Sequence, residues 1–395
     1  SPATMLLSAL TSGLIAALTL NPDSPAIGYT GRWTIDDAPK FSWSSTELAV
    51  RFTGAAVAGT FTSPKDGMRL LVLVNGTEHA VHRLPKGKQT VRLATGLPAG
   101  WHVARVLKVT EDNFQKGAGG QASFHGLALP EGGAFGDAAP ARPKRRLEFV
   151  GDSDTAGWCA DGSPQSGDKA DRTENSHQTW ATHLSSALGA EMMVEAISGY
   201  GVTPQSTPLQ PKAVRTHAFD ESSSWDFTRW TPDATVFLIG PNDERRRRMQ
   251  QQEEASAPTV PFTADQARGR TFVRDYLEML RVYVNAYAHL ARAHRPRMIH
   301  VCGGSINGFD PCADIRDAIG QFNAAHAADG WISNYTSVTK AHWHMINADD
   351  GASAYNGCDT HYNGKGHQVI AEDIIADVRR FVGWPDEAAG SVEAA

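Results

Sequence analysis

The stretch Leu147–Gly157, LEFVGDSDTAG, decides the fold. Its first four residues read as a strand that stops at Gly151, and Ser153 follows two positions later in a turn of small and polar residues. In an open α/β sheet, ligands bind in the crevice beyond the carboxyl ends of the strands. A serine placed there is exposed to a substrate, and a helix starting behind it aims backbone N–H groups at any developing negative charge. An ordinary serine-capped β–α turn has the same composition, so the segment gains meaning only from what surrounds it.

Downstream, strands and helices alternate. Met192–Ile197, Ala234–Ile239 and Met298–Val301 read as strands. Asn175–Leu188 carries Trp180, Leu184 and Leu188 at helical spacing, and Thr263 with Gln266 makes a capping box for a long helix ending near Pro296. Asp310-Pro311 supplies a cap and a first-turn proline for a helix over Ala313–Ala328, and a last helix begins at Asn363. That rhythm predicts a parallel sheet covered on both faces.

Upstream the pattern is different. Leu48–Thr53 alternates strictly, and Arg69–Val74 runs through Asn75-Gly76 into His79–Leu84, a strong hairpin signal. Val91–Leu93, Trp101–Val109 and Ser123–Leu129 continue as short strands with Gly/Pro punctuation, which predicts a β-sandwich. The expected organisation is a signal remnant or N-terminal extension over 1–24, a sandwich over 25–130, a Gly/Ala/Pro-rich linker over 131–146, an α/β domain over 147–384 and a tail over 385–395.

With 395 residues, 41% apolar and 20% charged, the chain has material for a real core and the profile of a folded protein. Thirty-seven Lys+Arg against 43 Asp+Glu gives −6, without the basic footprint of a nucleic-acid binder; the four arginines at 245–248 read as a solvated surface loop. Residues 5–20 are apolar and uncharged but too short for a membrane span, and they suit the apolar region of a secretory leader. Four cysteines without a Cys-x-x-Cys pair exclude a zinc ribbon, and the even number fits an oxidising compartment. His342-Trp343-His344 lacks a third ligand, so no metal or other cofactor is expected.

Three more segments bear on chemistry. Ala196–Gly201 (AISGYG) ends a strand in glycines that let backbone approach a substrate. Ala234–Asp243 (ATVFLIGPND) ends another in a turn whose Asn242 amide suits an oxyanion. Cys358–His367 (CDTHYNGKGH) places His361 as a general base toward Ser153, with Asp359 two residues earlier to orient the imidazole. Trp225 and Trp230 are aromatic enough to border a cleft, although core packing explains them as well.

GDSDTAG, a glycine block, GPND and DTH before a terminal helix, in that order, resemble the SGNH (GDSL-type) hydrolases. Tyr29–Trp33 (YTGRW), Phe41-Ser42-Trp43 and Arg51–Gly54 extend the likeness to the family 2 carbohydrate esterases, which join a jelly-roll module to an SGNH domain. The resemblance implies a three-layer α/β SGNH domain with a central parallel sheet behind an all-β jelly roll. It implies Ser153 as nucleophile, His361 as base, Asp359 as third member, and an oxyanion hole from the Ser153 and Gly199 N–H groups and Asn242. Asp154, Trp158, Tyr200 and Thr360 are candidates to border the substrate; a shared active-site edge would bring Cys159 to Cys358, and Cys302 and Cys312 bracket a Gly/Asn/Asp-rich loop that their bridge would clip. The implied activity is removal of O-acetyl groups from polysaccharides or oligosaccharides outside the cell, with an acetylated carbohydrate as partner and neither nucleic acid nor membrane insertion. A lipid or thioester hydrolase, an acyltransferase with the same site, and a glycan-binding protein without turnover are the alternatives. Two departures mark this chain: Asp154 and Thr360 stand where relatives carry an apolar residue and, often, a tryptophan.

Overall fold

The computed structural model describes residues 18–111, 120–167, 170–255, 265–305, 308–339 and 354–385. The His342–His344 pair, the Thr263 cap, most of the apolar leader and the tail after Pro385 lie outside the described residues.

The sandwich consists of two antiparallel six-stranded sheets. Its strands are β1 (Leu18–Leu20), β2 (Ile27–Thr30), β3 (Trp33–Thr34), β4 (Lys40–Phe41), β5 (Glu47–Thr53), β6 (Ala56–Ser63), β7 (Met68–Val74), β8 (Thr77–Leu84), β9 (Gly87–Thr95), β10 (Trp101–Lys108), β11 (Ala122–Leu129) and β12 (Ala134–Phe135). One sheet runs β3-β4-β11-β6-β9 with β1 on β11; the other runs β12-β5-β10-β7-β8 with β2 on β5. Alternate residues such as Leu48, Val50 and Phe52 of β5 and Leu70 and Val72 of β7 point into the space between the sheets, where they meet Phe61, Leu93 and Phe124. The Asn75-Gly76 hairpin forms as its sequence predicts, with both residues at positive φ (52° and 80°). Two expectations change here. Leu18–Leu20, placed with the N-terminal extension, is a strand paired with β11. The Pro130–Arg146 stretch is laid along the sandwich: β12 pairs with β5, and Ala139 N–H bonds the Pro25 carbonyl at 3.0 Å.

The second domain is built on a five-stranded sheet, all parallel, in the order β14-β13-β15-β16-β17. Its strands are β13 (Arg145–Gly151), β14 (Ala190–Ala196), β15 (Ala234–Leu238), β16 (Arg297–Cys302) and β17 (Ser333–Ser337). The helices are α1 (Ser153–Ala156), α2 (Ala170–Thr173), α3 (Trp180–Ala187), α4 (Gln210–Ala213), α5 (Pro241–Ala255), α6 (Asp265–Ala286), α7 (Cys312–His326) and α8 (Gly364–Val382). Strand side chains alternate between two cores. Val150, Phe237 and Met298 pack with Tyr276, Leu280 and Phe322 of α6 and α7. Phe149, Val236 and Ile299 pack with Trp180, Leu184, Ile370 and Ile374 of α3 and α8. The result is three layers.

Four local readings are corrected. The Asn175–Leu188 helix is broken by extended Thr179 into a 3₁₀ turn, Ser176–Gln178, and α3. Helix α6 ends at Ala286 rather than near Pro296. Helix α7 starts at Cys312 without a side-chain cap, because the Asp310 carboxylate turns away to accept the Ser305 N–H at 3.2 Å. The arginines at 245–248 lie on α5, where Arg247 and Arg248 pair with Glu244 at 2.7 Å each.

Candidate active site

Beyond the carboxyl ends of β13, β15 and β16, three segments and the loop before α8 meet around a cavity of about 300 Å³, while the glycine block after β14, with Gly199, is not part of its lining. Asp152, Ser153, Asp154, Asn242, Asp359, Thr360 and His361 line it, together with Arg245, Ser305 and Phe309.

Ser153 is the first residue of α1, behind Asp152, whose carboxylate accepts the Asp154 N–H at 3.3 Å. Its Oγ lies 2.8 Å from Nε2 of His361, although the two residues are 208 positions apart. The other ring nitrogen, Nδ1, lies 2.5 Å from the backbone carbonyl oxygen of Asp359. A carbonyl only accepts, so Nδ1 carries the hydrogen and Nε2 is left to accept from the serine hydroxyl. Asp359 therefore meets the histidine through its main chain, and its exposed side chain is not the imidazole's partner. The cause is local: Asp359 and Thr360 both take positive φ (48° and 56°), and this tight turn swings the carbonyl of residue 359 toward the ring.

A disulfide joins Cys159 to Cys358, tying the chain just after the nucleophile to the chain just before the histidine; a second joins Cys302 to Cys312.

The Ser153 and Gly199 N–H groups have no hydrogen-bond partner among the described residues. Gly199 has φ +82°, open to glycine at no steric cost, and empty space where a Cβ would stand. Asn242 sits in the first turn of α5, not in a loop. Its Nδ2 donates to the Tyr200 carbonyl at 2.9 Å and to Asp152 Oδ2 at 3.2 Å. The next residue, Asp243, accepts the backbone N–H groups of Val202 and Thr203 at 3.0 and 2.9 Å and the hydroxyls of Thr203 and Ser206. Gly201 lies so close to Asp243 and Ser206 that a Cβ would collide with both.

The site is rich in buried acid. Burial, then the neighbouring Asp154 carboxylate, holds Asp152 well above the usual carboxylate range. Burial raises Asp154, with His361 opposing the rise. Asp310, behind the Ser305 loop, is pushed up to about 6 by burial and, after the opposing Ser305 N–H, by Asp154.

Trp158 and Tyr200 do not line the cavity. Trp158 packs against the sandwich core with its ring 6.5 Å from that of His361, and Tyr200 stacks edge-on against Phe219. Trp225 and Trp230 are core, 5% exposed each. Sequence reading passes over Asp243, Ser305 and Phe309, and takes Arg245 for solvated surface where it lines the cavity. Asp243 is signalled by its place in GPND; the others are not.

Residues 149–369, more than half of the chain, match the GDSL-like Lipase/Acylhydrolase family. The chain belongs to that family. Within this GDSL-like protein, residues 29–138 also match the Carbohydrate esterase 2 N-terminal family. The chain is 24% identical over 376 residues to the cellulase/esterase CelE of Acetivibrio thermocellus, covering 93% of this chain and 41% of that protein. It thus spans about two fifths of that relative's length. It is 21% identical over 378 residues to an acetylxylan esterase/glucomannan deacetylase of Cellvibrio japonicus, covering 93% of this chain and 92% of that one. Among solved structures, a family two carbohydrate esterase from Clostridium thermocellum in complex with cellohexaose superposes with a TM-score of 0.73 at 22% identity, covering 91% of this chain and all of that one. The two-domain architecture is thus that of the family 2 carbohydrate esterases.

Proposed function

We propose that this GDSL-like protein is a serine esterase that removes O-acetyl groups from polysaccharides or oligosaccharides. The observation that carries the reading is the 2.8 Å contact between Ser153 Oγ and His361 Nε2 at the wall of a small cavity. Ser153 Oγ attacks the acyl carbonyl while Nε2 takes its proton, and the imidazolium is held through Nδ1–H to the Asp359 carbonyl. The oxyanion forms beside the open N–H groups of Ser153 and Gly199. Asn242 joins them by giving up its longer bond, the one to Asp152. His361 then returns the proton to the departing sugar oxygen. Water, activated by the same nitrogen, releases acetate and frees the serine. The acetylated-carbohydrate substrate is supported by the relatives named above, and a cavity of this size suits a short acyl group. Two disulfides and the character of those relatives support action outside the cell.

The test is acetate release from acetylated xylan and glucomannan, alongside nitrophenyl esters of increasing chain length. Ser153→Ala is expected to lose at least about 10⁴-fold in kcat with an unchanged melting temperature. Retained turnover in that variant would sink the reading, and a preference for long acyl chains would redirect it to lipid hydrolysis.

A further inference from the structure

The Gly199 N–H can serve an oxyanion only if its peptide plane is held, and glycine does not hold it by itself. At φ +82° with open space where a Cβ would stand, Gly199 has no side chain to fix its direction. Ser198–Tyr200 belongs to no strand or helix. Its orientation therefore comes from the turn that closes around it, with the Tyr200 N–H donating to the Ile197 carbonyl at 3.2 Å, and from what holds that turn on either side. On one side, the Tyr200 carbonyl accepts from Asn242 Nδ2 at 2.9 Å. On the other, the Ser198 N–H donates to Oε2 of Glu111 at 2.6 Å.

Glu111 does not belong to the α/β domain. It follows β10 of the sandwich, 87 positions before Ser198, and is 1% exposed. Its own N–H donates to Glu174 Oε1 at 2.7 Å. The neighbouring chain is fixed as well: Ser176 N–H bonds the Val109 carbonyl at 3.0 Å, and Arg69 bonds both the Glu174 carbonyl and, at 2.7 Å, Asp161 Oδ2. The carboxylate is thus delivered to the glycine block from a firmly seated base.

We propose that Glu111 is a positioning residue of the sandwich that aims the Gly199 N–H at the oxyanion by holding the Ser198 amide. The proposal rests on the esterase reading and assigns the sandwich a part in turnover. A carboxylate acceptor makes a stronger bond to an amide than a neutral one, and misaligning one oxyanion donor forfeits part of the roughly 10²–10³-fold such a donor supplies.

The experiment compares Glu111→Gln, Glu111→Asp and Glu111→Ala in the full chain, on a nitrophenyl acetate, below the melting temperature of each variant. Asp keeps the charge but falls one carbon short of Ser198; Gln keeps the length and an acceptor oxygen. The expected result is a loss of about 10- to 100-fold in kcat for Asp and Ala, with KM within about 3-fold, and recovery of at least a third of wild-type kcat in Gln. Wild-type kcat in a folded Asp or Ala variant overturns the proposal, as does equal loss in Gln and Ala. Hydrogen exchange in the wild-type protein tests it without any variant: the Ser198 amide is expected to be protected, and exchange at the rate of a free amide overturns it. Ser153→Ala separates the two readings, since its inactivity upholds the esterase whatever Glu111 does.

Discussion

Arg32 and Glu111 both belong to the sandwich and both end buried against the parallel-sheet domain, yet they meet different things there. Arg32 is fully buried and lies between two carboxyls that are equally buried: Nε is 3.0 Å from Glu195 and Nη2 is 3.3 Å from Glu148. It also donates to the Ala213 and Arg215 carbonyls at 2.5 and 2.9 Å and sits over the rings of Trp225 and Phe227. Each of these contacts is to core. Glu111 instead meets the strand-end loop that carries Gly199. One guanidinium faces two acids, and burial drives Glu195 well up, which favours its neutral form, with Arg32 only partly opposing the rise. The difference separates a contact that holds the domains together from one that shapes the site.

The largest expected effect lies in the first region. Arg32→Ala strands two buried carboxyls and should lower unfolding stability by about 3–5 kcal/mol in denaturant melts. The kcat of the folded fraction should stay within about 3-fold. A large loss of kcat at full folding would erase the contrast with Glu111.

A smaller effect is expected at the disulfide that joins the nucleophile turn to the histidine loop. Cys159 and Cys358 are 199 residues apart, against 10 for Cys302 and Cys312. Closing the longer loop removes more disorder from the unfolded chain, so the double Cys159→Ser/Cys358→Ser variant should lose about 2–4 kcal/mol, more than its Cys302/Cys312 counterpart. Equal losses in the two pairs, read by thermal unfolding, would show that chain entropy does not govern them.

The smallest effect is expected at Asp310, which touches neither Arg32 nor Glu111. A carboxyl whose pKa rises from 3.8 to about 6 on folding holds its proton more tightly in the native state. It therefore favours folding below about pH 4, and that contribution is lost as pH climbs through 6. Asp310→Asn should match wild type near pH 4 and exceed it by up to about 3 kcal/mol at pH 7.5. A stability gap independent of pH would contradict this.

Much of the fold is legible in local pattern. Alternation in Leu48–Thr53, the Asn75-Gly76 turn and the apolar run before GDSDTAG each depend on neighbours in sequence, and each forms. Strand β6 (AVAGTFTS) escapes notice because small and polar residues hide its period of two. The site is legible only in part. Ser153, Asn242 and His361 stand in recognisable blocks, but the role expected of the Asp359 side chain falls to its main chain, because residue type says nothing of which atom faces the ring. Gly-Pro-Asn-Asp is turn chemistry and points to a turn at Asn242, whereas the proline opens a helix. Glu111 leaves no local trace at all: its contact with Ser198 is made by tertiary folding alone.

The main-chain oxygen that steadies His361 also bears on how the protein tolerates change. Since every amino acid carries that oxygen, codon 359 is free to drift so long as the replacement accepts a left-handed backbone, which favours asparagine and glycine. A saturation screen at this position would report the tightness of the bend rather than the chemistry of a carboxylate, and a silent result there would conceal the histidine's support instead of disproving it.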